Sequence, residues 1–600
     1  MKNLTYISTL LCVMLLAVTA CDVQSVLDQE PVDQISEEAV WDDPALVEAY
    51  LNDIYLGMGH GLYEVMLAST TDEAHFTHGY GIPEIVESNV SPSNRGSFGS
   101  RGDFNHWDWA DLYFRIQQVN TLLAEMQETT IEDQALLDSF NGQAHFLRAY
   151  FYHNLLRIYG GVPIIQDPNS LDDEDITPAR NSFAETVDFI VQEADAAATL
   201  LPVEQSGDDL GRASAGAAMA LKSRVLLFAA SDLYHQNPSG MDVTGYSGAN
   251  QQQMWQDAKA AAQEVMDLGA YELYRPNPAT PEEAGENYYQ LFLTEKPANP
   301  ETIMERYYIE TRDDGHNPGL DNGPNGYHNW AGNTPVQNLV DDYEMEDGSE
   351  FSWDNPDHAA SPYEDRDPRL EASILHDGSE WVQRPPDAVQ YDGENVIQTF
   401  KELELSDGSV VPGVDTRDGP IEDWNGSYTG YYMKKFIRND MQHGSSNKQE
   451  GSWIFFRYTE VLLNYVEASI ELGDFADARR ELNRIRTRAG MPTFDASVTG
   501  DELMEEYRNE RRIEMAFEEQ RYFDVRRWMI APDVMNEQAQ NIYITAEAAS
   551  QADRSSYTNY NYEVRSQVPG NRAWEDKMYF QPIPFEEMNR NDNLIQNPNY

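Results

Sequence analysis

The sequence predicts a mostly α-helical protein, built from packed helix pairs and interrupted by one long irregular lobe. Three observations carry that expectation. Apolar residues step by three and four through residues 109–268 and again through 454–489. From about Tyr271 to Asn447 this period lapses, and glycine, proline, asparagine, aspartate and aromatic residues crowd together. A hydrophobic share of 41% with 24% charged residues over 600 positions is globular composition with room for a large core.

After a polar stalk from about Asp22 to Glu38, Trp109, Leu112, Ile116, Val119 and Leu123 mark one helix. Its partner carries Ala144, Leu147, Phe151, Leu155 and Ile158 and is closed by Gly160-Gly161 and Pro163. Further helices are expected from Ser182 to Leu201, ended by Pro202, over the Ala-rich Ala213 to Leu233, and from Gln252 to Leu268. Within the lobe only short extended runs stand out, Thr302 to Ile309 and Tyr431 to Ile437. A structureless span of that length inside a compact protein is unusual, so it is read as irregular structure that carries function. Helices resume with Ile454, Tyr458, Val461, Tyr465, Ala468 and Leu472, then Phe475, Ala478, Leu482, Ile485 and Ala489. The Gly473-Asp474-Phe475 join with Ala478 resembles the turn of a tetratricopeptide repeat, although a plain helical hairpin has the same pattern. A charge-laced helix runs from Asp501 to about Gln520, and the chain closes in Pro- and Asn-rich sequence.

Lys plus Arg number 41 against 103 Asp plus Glu, a net charge of −62. That excludes nucleic acid as a general partner and a polybasic grip on anionic lipid. It reads as an acidic surface suited to salty surroundings. Both cysteines, Cys12 and Cys21, lie at the start, so the remaining chain offers no disulfide, thiolate nucleophile or Cys-ligated metal. Residues 1–20 read as a secretory signal: Lys2, an apolar run from Leu10 to Val18, and small Thr19 and Ala20. Cys21 after these small residues resembles a bacterial lipobox and is the expected lipidation site, tethering an otherwise soluble body to a membrane.

Several blocks together resemble the SusD/RagB family of outer-membrane nutrient-binding lipoproteins of Bacteroidetes. They are Phe146-Leu147-Arg148-Ala149-Tyr150 through Tyr159-Gly160-Gly161-Val162-Pro163; Asn333-Thr334-Pro335 with Tyr343-Glu344-Met345-Glu346-Asp347-Gly348 and Arg366-Asp367-Pro368-Arg369-Leu370; Arg457-Tyr458, Glu460 and Glu467-Ala468 to Gly490; Asn509-Glu510-Arg511-Arg512 with Arg521 to Trp528; and Pro582-Ile583-Pro584 with Asn593-Leu594 and Gln596-Asn597-Pro598 to Tyr600. Length alone suggests about four domains. The resemblance implies one instead, residues 21–600: a superhelical scaffold of tetratricopeptide-like helix pairs over about 39–270 and 451–530, a ligand lobe over about 271–450, and a C-terminal segment 531–600. It also implies a non-catalytic, surface-exposed lipoprotein of the outer membrane. Such a protein captures oligosaccharides, or peptides in the RagB branch, and hands them to a SusC-like TonB-dependent transporter. No cofactor is implied.

The recognised charges, Arg148, Arg157 and the Glu510 to Arg527 series, sit at spacings that support helices and are read as holding the fold. Binding chemistry is sought among aromatics on irregular backbone, because a sugar presents an apolar face to Trp or Tyr and a rim of hydroxyls to polar side chains. The segment His316 to Gly332 supplies both most densely, and Tyr327 and Trp330 lead the candidates, with His328 and Asn329 beside them. Core packing is the competing role for Trp330. A second candidate is the loop from Thr70 to Trp107 with Asp72, His75, His78, Tyr80, Arg95 and Arg101; the family resemblance places its early Asp-containing part beside the ligand. Trp381, Tyr391, Trp424 and Tyr428 are read as ligand platforms or transporter contacts. Arg95 and Arg101 keep an acidic ligand in play despite the net charge.

Carboxylate pairs suited to glycoside hydrolysis occur throughout so acidic a chain and have no diagnostic value, which leaves a surface glycosidase as a remoter reading. No nucleophile elbow, phosphate-binding loop or His-Glu-x-x-His is present. His75 and His78 lack a third metal ligand, and Asp172 to Asp175 read as a solvated acidic face in preference to a weak Ca2+ site.

Overall fold

In the computed structural model the described residues are 40–100, 102–168, 177–309 and 317–600. The leader with Cys21, Arg101, Asp172 to Asp175 and His316 lie outside them. Helix α1 spans Pro44–Tyr55, α2 Trp109–Glu128, α3 Gln134–Tyr159, α4 Phe183–Leu200, α5 Ala215–Ala230 and α6 Gln251–Asp267. Their starts are chemically marked. Asp43, Asp108, Asp133, Ser214 and Asn250 accept first-turn N–H groups, and Ser182 with Glu185 forms a reciprocal capping box. α3 ends at Gly160, whose φ of 83° and close approach to the Val243 carbonyl admit no side chain.

Helix α7, Pro281–Leu291, falls inside the span read as irregular; Thr280 caps it and Pro281 occupies its first turn. Helices α8 (Tyr458–Glu471), α9 (Phe475–Arg488), α10 (Gly500–Glu514) and α11 (Arg521–Arg527) follow the lobe. In space α2 packs on α3, α3 on α4, α4 on α5 and α5 on α6. α8 continues the array on α6 despite the intervening lobe, and α9 and α10 pack on α8.

The strands are β1 (Ala74–Phe76), β2 (Thr302–Tyr308), β3 (Asn333–Pro335), β4 (Ile374–Leu375), β5 (Glu402–Leu405), β6 (Val410–Val411), β7 (Tyr432–Met433), β8 (Gly451–Arg457), β9 (Asn541–Ala548) and β10 (Thr558–Arg565). The helix expected from Ile454 begins instead at Tyr458. Residues 451–457 are a buried strand antiparallel to β2, so the entry and exit of the lobe pair with each other. The bulky Trp453-Ile454-Phe455-Phe456 run, apolar at consecutive positions, suits a strand covered on both faces. β10, β9, β5 and β6 form one sheet in that order, with β5 parallel to β9, which docks the C-terminal segment on the lobe. Among the described residues no helix is long and apolar enough to cross a membrane.

One hydrophobic core runs from Trp41 to Leu594. A lattice of buried ion pairs ties lobe to scaffold. Arg457 pairs with Glu301 at 2.8 Å, Glu514 at 2.7 Å and Glu518 at 2.7 Å. Arg369 reaches Asp367 at 2.7 Å, Glu510 at 2.5 Å and Glu514 at 3.0 Å, and Arg488 bridges Glu301 and Glu514. These pairs cross between elements where helical spacing suggested contacts along one helix. Arg148 does find a carboxylate, Glu193 on α4, at 2.7 Å. Among the described residues Arg157 finds none within ion-pair distance: its guanidinium stacks on Trp107 at 4.1 Å and Phe523 at 4.3 Å and donates to Asn154.

Candidate functional site

The short pairing of β1 with β3, His75 opposite Thr334, lays two distant segments side by side. Beyond it Thr77 N donates to the Gly332 carbonyl at 2.9 Å, and His78 Nε2 donates to the Trp330 carbonyl at 2.8 Å. Asn333 anchors the corner, accepting from Met66 N and Ser69 Oγ and donating to Glu64 O and Asn322 Oδ1. A third segment closes the surface. Asn325 Nδ2 donates to the Thr416 and Ile421 carbonyls, and His328 Nδ1 lies 2.9 Å from Glu422 Oε1 while Nε2 lies 3.2 Å from Asp387 Oδ2.

The outcome is a cluster of aromatic side chains open to solvent. Trp424 is 60% exposed and Tyr80 44%. His78 stands between them, its ring centroid 6.4 Å from Trp424 and 6.0 Å from Tyr80. Tyr428 is partly exposed at its margin, where His75 meets it edge-on at 5.6 Å, and partly exposed Trp330 is joined to the cluster through its carbonyl, which accepts from His78. Tyr80, His328, Ala331 and Glu422 all have left-handed backbone, with φ of 42°, 63°, 48° and 41°. Such residues cost on the order of 1 kcal/mol or more each and persist where the surroundings over-determine them, as at ligand clamps.

Charge states follow from the surroundings. Burial, helped by Arg572 and Arg417, pushes His75 down to about 3, so its imidazole is neutral. His328 is partly desolvated, yet the Glu422 and Asp387 carboxylates on its two nitrogens hold it above its ordinary range.

The structure brings Tyr80, His75, His328 and Trp330 together, with His78, Trp424 and Tyr428. It removes other expected residues from the surface. Tyr327 is 5% exposed and its ring is covered by Arg384 at 4.1 Å, which itself pairs with Asp415 and Asp392; no face remains for a ligand. Asn329 is buried and donates to the His443 carbonyl. Asp72 is buried between Arg512 and Arg521, each at 2.8 Å; despite its burial these two hold its carboxyl well below the usual range. Arg95 pairs with Asp108 at 2.6 Å and bonds Tyr159 in a separate groove beside Pro584 to Glu587. Trp381 is buried, and Tyr391 packs on a small satellite cluster. Asp387, Arg417 and Glu422 were not singled out in the sequence. The isolated arginine between Asp415 and Asp423 was the available signal.

A helical array thus carries an aromatic, polar-rimmed surface built jointly by the segment around β1 and the inserted lobe. The sequence model of the SusD family matches residues 300–600, and a second, described as starch-binding and associating with the outer membrane, matches residues 26–227. The chain belongs to the SusD family. A SusD-like protein of Formosa agariphila is 21% identical over 557 residues, 89% of this chain and 93% of that one. The crystal structure of a SusD-like protein from Bacteroides fragilis superposes with a TM-score of 0.72 at 28% identity, covering 95% of this chain and all of that one. A SusD-like carbohydrate-binding protein from the same organism gives 0.69 at 23% identity over 93% of this chain and 100% of that one, which shows the shared fold.

Proposed function

We propose that this protein is a cell-surface glycan-binding lipoprotein, anchored through Cys21, that captures oligosaccharides and hands them to a TonB-dependent outer-membrane transporter without chemical turnover. The observation that carries this reading is the exposed Trp424–His78–Tyr80 cluster on strained backbone. Tryptophan and tyrosine rings accept the C–H face of a pyranose, and Asp387, Glu422, His328 and the backbone around them offer partners for its hydroxyls. The site is largely pre-formed, because β1–β3 pairing and the Asn325 and Asn333 bonds fix its loops before any ligand arrives. Membership of the SusD family, with one matching model described as starch-binding and associating with the outer membrane, supports both the ligand class and the location.

The test is a glycan array followed by calorimetry on the soluble body with Trp424→Ala, Tyr80→Ala and Trp330→Ala. Each variant is expected to keep its far-UV circular dichroism. Trp424→Ala and Tyr80→Ala should each weaken binding by about tenfold to a hundredfold, as for aromatic anchors generally. Unchanged affinity in both, or peptide binding with blank glycan arrays, overturns the reading.

A further inference from the structure

Basic groups are scarce in this chain, 41 Lys plus Arg among 103 Asp plus Glu, and those of the interior lattice are spent on carboxylates. Around Tyr428, at the margin of the aromatic cluster, they are not. The Arg417 guanidinium lies 4.0 Å from the Tyr428 ring centroid. Its Nη1 donates to the Trp424 and Gly426 carbonyls, each at 3.0 Å, and among the described residues no carboxylate stands within ion-pair distance of it. Lys401 meets Asp418 at a long 3.9 Å, and the Asp418 side chain is 72% exposed. Arg572, buried behind β1, donates to the Ala74 carbonyl at 3.0 Å and likewise has no carboxylate in pairing range. His75 faces the same ring.

We propose, on the glycan-binding reading above, that the captured saccharide is anionic and that its carboxylate or sulfate group docks beside Tyr428 against Arg417 and Lys401, with the sugar ring carried by Trp424. Guanidinium and carboxylate or sulfate oxygens make charge-assisted, bidentate contacts that a neutral hydroxyl does not match. Arg417 has its Nε and Nη2 groups available for this, since among the described residues its hydrogen bonds use Nη1 alone. Burial lowers Lys401, with Asp418 opposing and Arg417 adding to the shift. Arg572 and Arg417 both bear on His75, so their positive charge is felt beside the Tyr428 ring, where an anion would be welcome. Neutral His75 adds an N–H donor without adding charge.

The experiment compares three oligosaccharides of similar length by calorimetry: a neutral β-glucan, an oligouronate and a sulfated galactan. Lys401→Met and Arg417→Gln are the variants. Lys401→Met touches neither Trp424 carbonyl nor Gly426, so it leaves the loop's internal bonds in place. At least one of the two anionic ligands should bind the unaltered protein about tenfold or more tighter than the glucan at 50 mM salt, narrowing at 500 mM. Whichever of the two binds tighter distinguishes a carboxylate from a sulfate. In Lys401→Met the preference should fall about tenfold while glucan affinity stays within about twofold. Equal binding of neutral and anionic ligands overturns this inference and leaves the glycan reading standing. An anionic preference that survives both substitutions overturns the site. Binding of none of the three, with blank arrays, overturns the glycan reading and this inference with it.

Discussion

Glu73 sits with its carboxyl buried beside the ionised Asp72, accepting a long 3.3 Å bond from Phe517 N. Burial, and then the neighbouring charge of Asp72, raise it from the usual carboxylate range to about 8. A raised folded-state value means the native chain binds a proton that the unfolded chain has already released. Its contribution is therefore present below the unfolded value of about 4.5 and is lost as pH rises through about 8. Glu73→Gln mimics the neutral form. It is expected to flatten the decline in stability between pH 5 and 8.5, by on the order of a few kcal/mol at the alkaline end, in urea titrations run in parallel with the parent. Parallel curves for the two proteins would place the loss elsewhere. The neighbouring Asp72 explains why single residues were hard to read from sequence. Its partners Arg512 and Arg521 lie some 440 positions away, so an acidic residue in a loop looks identical whether it waits for a ligand or closes an interior ion pair. Tyr327 poses the same problem, since only the distant Arg384 decides that its ring is covered. Tyr80, His328 and Trp330 were legible because dense aromatic and polar sequence on irregular backbone is itself a local property.

Helix α10 shows what a single element does for the fold. Glu510 and Glu514, one turn apart and buried, receive arginines from three directions: Arg369 from the lobe, Arg486 and Arg488 from α9, and Arg457 from the end of β8. Burial alone would raise Glu514, but Arg488, Arg457 and Arg369 outweigh it and bring the carboxyl down to about 2. Glu514→Gln leaves three buried guanidinium groups short of a counter-charge and is expected to cost about 3–5 kcal/mol in chemical denaturation followed by tryptophan fluorescence. A loss below about 1 kcal/mol would mean that Glu301, Glu510 and Glu518 absorb the charges unaided. Elements such as α3 and α4 were legible because a 3.6-residue period and a capping box are written within a single turn or two. β8 was misread as the start of a helix, and the parallel β5–β9 contact went unseen, because strands of four to eight residues acquire their identity from partners far along the chain. β1 and β3, three residues each, give no periodic signal at all, although their pairing assembles the site.

At the scale of the molecule the arginines are unevenly placed. Arg369, Arg457, Arg486, Arg488, Arg511 and Arg527 are all interior and neutralise interior carboxylates. Withdrawing these arginines from the surface leaves an exterior poorer in cations than the overall composition, with its net −62, suggests. Two unequal salt responses are thereby built into one protein. The buried pairs are shielded from bulk ions and barely respond, whereas the exterior repels itself over a Debye length of about 30 Å at 10 mM salt and only about 3 Å at 1 M. Stability should therefore climb steeply as sodium chloride rises from 10 to 300 mM, then level off once the screening length is shorter than the spacing between surface carboxylates. Potassium chloride should trace the same curve, because screening depends on ionic strength rather than on the cation. Differential scanning calorimetry across that range decides the matter. A melting temperature that stays flat, or falls, with added salt would mean that attractive surface pairs such as Lys259–Asp474 and Arg480–Asp477 outweigh the long-range repulsion, and the acidity would then need a cause other than a saline habitat.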